Sequence, residues 1–221
     1  MTDRRAFALF SLALASTLCV GALVARWLYA DWGAYGFMAW NLFLAWIPLI
    51  AAILVYDGRR RGAGPATLLP IAAVWLIFLP NAPYLLTDFV HLGSREDAPL
   101  WFDIVLFGSF AWTGTLLGFL SIFVMQAIVR RAAGPLWGWV LVVVSLAASS
   151  FGIYLGRSLG WNSWDFIVRP GALLEDIWAR LVDPLAYPRG VGMTLALTAV
   201  LSTGYLTMYA FAQLGAADRG R

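Results

Sequence analysis

Apolar runs of membrane-spanning length, separated by breaks of a few polar residues, govern what this chain can fold into. A helical run of about 20 apolar residues matches the ~30 Å hydrocarbon core of a bilayer. Runs at about 6–28, 37–56, 99–129, 136–156 and 191–214 meet that length. In lipid each segment must satisfy its own backbone polar groups, so each run reads as a helix. Of the 221 residues 62% are hydrophobic and 12% charged, against about 25% charged in soluble domains. A chain of this kind cannot cover its surface in water, and the lipid bilayer is its first partner.

The third run departs from the rule. From Pro65 to Leu79 it holds about 15 residues, which is about 22 Å of helix and short of the core. Pro80-Asn81-Ala82-Pro83 follows, and the chain then reads as helical again to Leu92. A helix broken at Pro80/Pro83, 65–79 continuing as a half-helix over 83–92, accounts for both the length and the prolines. Broken helices are tolerated at membrane depth where protein or water takes up the freed backbone groups. On an α-helix, Tyr84, Thr87, Asp88 and His91 fall at i, i+3, i+4 and i+7 and share one face. His91 is the only histidine in the chain.

The expected fold is therefore all-α: a single transmembrane domain of six spans. Pro48 lies inside the second span and is expected to kink it. Gly114 and Gly118 in the fourth span form G-x-x-x-G, and Ala148, Gly152 and Gly156 recur every fourth residue in the fifth. Both permit close backbone approach, and these two spans are expected to pack on each other. The longest loop, residues 157–190, begins with a Trp-rich polar stretch. It continues as an amphipathic pattern at about 171–183, with Leu173, Leu174, Ile177, Trp178 and Leu181 on one face. That suits a helix lying in the interface, with Asp176 and Arg180 as an i,i+4 pair. Trp27, Trp32, Trp40, Trp101, Trp161 and Trp164 fall at the same membrane surface, where aromatic belts gather.

Charge placement orients the bundle. All 15 basic residues are arginines. Arg4/Arg5, Arg59 to Arg61, Arg130/Arg131 and Arg219/Arg221 lie on one side, largely free of acid. The other side mixes Asp31, Asp88, Glu96, Asp97, Asp103, Asp165, Glu175, Asp176 and Asp183 with arginines. The positive-inside rule puts both termini in the cytoplasm, with 6–28 an uncleaved first span. The arginines come in twos and threes rather than as a stripe, so there is no nucleic-acid footprint. Cys19, the only cysteine, excludes intrachain disulfides and cysteine metal sites and reads as a packing residue.

Three blocks are distinctive: F-L-P-N-A-P-Y-L-L-T-D-F-V-H-L at 78–92, W-F-D at 101–103, and G-R-S-L-G-W-N-S-W-D at 156–165. They resemble the domain-of-unknown-function 1361 family of small bacterial polytopic membrane proteins, and the similarity spans most of the chain. The resemblance implies the same membrane class, in a bacterial inner membrane, and implies no reaction.

The candidate chemistry gathers at the outer face, around Asn81, Tyr84, Thr87, Asp88, His91, Asp103, Arg157, Asn162, Asp165 and Arg169. Ionisable groups near membrane depth are costly, so they pair or act. In one reading Asp88, His91, Asp103 and Asp165 hold a divalent metal. In another Asp88 orients His91 as general acid or base, while Arg157 and Arg169, with Asn162, Asn81 and Tyr84, bind an anionic or lipid-linked substrate. The alternatives are a small transporter, or an assembly subunit in which the cluster only locks the outer loops. In that last reading Asp88 and Asp103 pair with Arg157 and Arg169, and Asn81 serves as a helix cap.

Overall fold

The computed structural model describes residues 2–93 and 98–217, with side chains over 5–93 and 98–214. Glu96 and Asp97, expected on the outer side, lie outside the described residues, as do Arg219 and Arg221. Among the described residues the chain is helical and has no strand. Six segments there are long and apolar enough to cross a membrane: Arg5–Tyr29, Phe37–Arg60, Pro65–His91, Leu100–Ala133, Pro135–Leu159 and Pro188–Leu214. They lie in α1 (Thr2–Tyr29), α2 (Phe37–Arg60), α3 (Pro65–Phe78) with its continuation, α5 (Leu100–Ala133), α6 (Pro135–Leu159) and α9 (Pro188–Ala217). Packing divides the chain into two compact units, Met1–Ser121 and Ile122–Arg221, so α5 contributes to both.

In the first unit, Leu23 of α1, Met38 and Leu49 of α2, and Phe107, Phe110 and Leu117 of α5 form the core with Ala82 and Leu85. On its other side α1 turns Phe7, Phe10, Leu14, Leu18 and Leu28 outward, as a lipid-facing helix does. Polar contacts hold it in register. Arg5 makes a bidentate pair with Asp57 (2.7 and 2.8 Å), the Trp46 indole donates to Ser16 (3.0 Å), and Cys19 packs against the Thr113 hydroxyl (3.4 Å). Pro48 lies within α2 without ending it. The helix runs on through Arg60, beyond the expected end at Tyr56, and Gly62, with φ +82°, makes the turn into α3.

The break in the third span falls where the prolines require it, but it is mild. Leu79 and Pro80 keep right-handed helical dihedrals. A one-turn α4 (Asn81–Tyr84) follows, then a 3-10 helix over Leu85–His91. The Ala82 amide bonds to the Leu79 carbonyl (3.2 Å) rather than one residue further back, and Asn81 Nδ2 donates to the Phe78 carbonyl (2.9 Å) in its place. Asn81 therefore donates to a freed carbonyl and does not cap a helix start; no side chain caps α4.

The 3-10 winding changes which residues align. With three residues per turn, i and i+3 eclipse. Asp88 and His91 fall in line with Leu85, while Tyr84 and Thr87 fall in line with Val90. The single polar face expected for an α-helix is thus divided in two. The G-x-x-x-G of α5 also has a different partner from the one expected. A Cβ at Gly114 would overlap the Ala82 carbonyl and the Leu85 side chain, and one at Gly118 would press on Ala82 Cβ at 3.1 Å. The smooth stripe on α5 receives the broken third helix.

In the second unit α6 packs on α9, where Gly190 lies against the Tyr154 ring. The 157–190 segment carries α7 (Asp165–Val168), α8 (Pro170–Val182) and a short 3-10 turn at Pro184–Ala186. Of the apolar face of α8, Leu173 is buried with Tyr154 and Leu155, and Ile177 packs beside them. Leu174, Trp178 and Leu181 are exposed, as an interfacial helix requires.

Candidate functional site

Within the first unit, the end of α1, the starts of α2 and α5 and the continuation of α3 carry the polar groups. Asp88 is fully buried (0% exposed) and accepts from Asn41 Nδ2 at 3.1 Å. His91, one 3-10 turn on, is exposed and meets the edge of the Phe37 ring (centroids 5.0 Å apart). Tyr84 is half-buried, and its carbonyl accepts from the Thr87 hydroxyl (2.7 Å).

Asp103 takes a partner the sequence did not indicate. Arg26 Nε donates to Asp103 Oδ1 at 2.9 Å, with side-chain exposures of 0% and 1%. The Tyr35 hydroxyl donates to Oδ2 at 3.3 Å, and the Arg26 guanidinium lies over the Tyr35 ring at 5.8 Å. In the sequence Arg26 stands beside Trp27 at the end of an apolar run, a place that suits a charged side chain at headgroup level. Its signal was present in the sequence, as an arginine one turn inside the end of an apolar run, but nothing local says that it points inward. Tyr35 has φ +62°, the left-handed region that costs a bulky residue about 1–2 kcal/mol. Its burial against Phe107 (4.9 Å, edge-on) and its bond to Asp103 hold it there.

In the second unit, Gly160 takes φ +76° and the Trp161 amide returns to the Leu155 carbonyl (3.2 Å), which ends α6. The turn this starts is tied by Asp165, which is buried. Oδ2 of Asp165 accepts from the Asn162 backbone N–H (2.8 Å), and Oδ1 accepts from Arg169 Nε and Nη2 (3.2 and 3.1 Å). The Asn162 N–H, then Arg169, hold the Asp165 carboxyl below its ordinary range. The Arg169 guanidinium stacks over Trp161 at 4.9 Å, leaving its side chain 58% exposed. Trp161 donates in turn to Asp176 (2.7 Å). That bond first, and the expected Arg180 partner second, lower the Asp176 pKa. Arg157 is half-buried near the end of α6.

Taken unit by unit, the candidate residues are already engaged. Asp103 pairs with Arg26 within the first unit, and Arg169 with Asp165 within the second. Among the described residues no group of three His, Cys, Asp or Glu side chains is placed to hold an ion. What the first unit offers chemically is a fixed buried carboxylate and an accessible imidazole on one face. What the second offers is an exposed guanidinium braced by a carboxylate and an indole.

The family model described as "Protein of unknown function (DUF1361)" matches residues 40–203, which include all three distinctive blocks. No curated protein and no solved structure matches the chain.

Proposed function

The chain belongs to the DUF1361 family, and we propose that this polytopic membrane protein carries an acid–base site at the extracytoplasmic face of a bacterial inner membrane. His91 is the group that exchanges protons, and Asp88 is the buried carboxyl one 3-10 turn before it. Asn81 and Tyr84 border it. In the second unit, Arg157, Arg169 and Asn162 are the anion-binding groups, and the substrate class is lipid-linked or anionic. Positive-inside placement of the arginine pairs and triplet sets both termini in the cytoplasm.

The observation that carries this reading is the contrast along one 3-10 face, where Asp88 is wholly buried on Asn41 and His91 stays open. An ionisable group buried at membrane depth is costly and is kept there to pair or to act, and an exposed imidazole one 3-10 turn away gives it something to act through. Because the chain holds one histidine, its imidazole gives a single NMR signal. That signal is expected to move when diphosphate or short-chain phosphatidic acid is added to the purified protein, and to be displaced in Asp88→Asn. An imidazole signal indifferent to both, with His91→Ala unfolding the protein, sinks the proposal.

A second reading, that the polar end serves only to lock the spans, is favoured by one feature. The Arg26–Asp103 pair is fully buried and ties α1 to α5.

A further inference from the structure

Toward the Arg130 end of α5, the second unit holds a cavity of about 40 Å³ lined by Phe123, Gln126, Ala127, Arg130, Tyr209 and Gln213. Gln126 is 2% exposed. Its Oε1 accepts from the Tyr205 hydroxyl at 2.8 Å, while its Nε2 is buried without a partner. Buried donors are almost always satisfied, so an open one beside a cavity points to something that fills it. Arg130 Nη1 donates to the Tyr209 hydroxyl at 2.9 Å, and among the described residues no carboxylate pairs with this guanidinium. Tyr209 is held by Trp139 (4.9 Å), Phe123 (6.1 Å) and Tyr205 (6.4 Å), so the guanidinium at the rim has a rigid support.

A water molecule would satisfy Gln126 alone and make no use of the exposed Arg130 guanidinium at the rim. An oxyanion answers both. The volume admits a few water-sized atoms, enough for the oxygens of one phosphate group.

We propose that this cavity binds a phosphate oxyanion, with Gln126 Nε2 and the free donors of Arg130 directed at its oxygens. The phosphate comes either from an anionic lipid headgroup or from inorganic phosphate.

The test uses the full chain in two arms. In nanodiscs, the unfolding midpoint is compared between phosphatidylcholine alone and phosphatidylcholine with phosphatidic acid. In detergent, inorganic phosphate is compared with chloride at matched ionic strength. Gln126→Glu keeps the acceptor for Tyr205 and turns a carboxylate toward Arg130, so it folds while repelling an anion. Arg130→Gln removes the charge. The wild type is expected to be stabilised in at least one arm, and each variant to bind about tenfold or more weakly, as loss of a charge-assisted bond implies. Stabilisation by phosphatidic acid alone identifies the lipid headgroup; a response to inorganic phosphate identifies the free ion. No stabilisation in either arm, or variants that respond as the wild type does, overturns the proposal.

Discussion

At the scale of single residues, Arg26 carries more consequence than its place in the sequence suggests. With both partners of the Arg26–Asp103 pair at 0–1% exposure, removing one leaves the other charged and buried, which costs about 3–5 kcal/mol. Replacing both with apolar residues of similar volume costs far less, because desolvation and attraction disappear together. Arg26→Met and Asp103→Leu are therefore each expected to lower thermal stability in detergent sharply. The double variant should recover most of the loss, giving a large coupling in a double-mutant cycle. Additive losses would mean that the pair is not the unit holding α1. Asp103 was legible as a candidate from the acidic first turn of its helix. Its partner was not, because an arginine near the end of an apolar run fits an interfacial collar equally well.

At the scale of elements, two local structures were readable and one was misread. The 170–182 helix matches its amphipathic pattern, and the break in the third span falls at Pro80 and Pro83, where two prolines three residues apart remove two amides from one turn, whereas the lone Pro48 leaves α2 continuous. The winding after the break was read as α because side-chain spacing alone does not separate a period of 3.6 from one of 3.0 over seven residues. The turn at 160–169 shows how such an element answers to pH. Asp165 is held below the ordinary carboxylate range by the Asn162 N–H and Arg169. Its contribution to the turn is therefore complete above the unfolded value and is lost as pH falls through the lower, folded value. Hydrogen-exchange protection of the Asn162 and Arg169 amides, corrected for intrinsic rates, is expected to stay level through neutral and mildly acidic pH. It should fall only below the ordinary carboxylate range. In Asp165→Asn protection is expected to be low throughout and flat with pH; a pH response unchanged by that substitution would assign it to another group.

At the scale of the whole molecule, the six apolar spans and the side on which the arginines lie are linked by one prediction. A green fluorescent protein fused after Arg221 should fluoresce and an alkaline phosphatase there should be silent, as both termini are expected in the cytoplasm. Active phosphatase would reverse the topology and move the Asp88–His91 end to the inner face.

The membrane class, the long apolar helices, the proline break and the amphipathic helix were determined by the sequence alone, because transfer into lipid and the loss of an amide act within one segment at a time. Only the tertiary structure decided that Arg26 turns inward to Asp103, that Tyr35 adopts a left-handed backbone beneath it, and that Gly114 receives Ala82 and Leu85. It also decided that Gln126 keeps an unmade donor beside Arg130. Those outcomes depend on how far each helix is rotated and how deep it sits against its neighbours, and no periodicity within a single span encodes that.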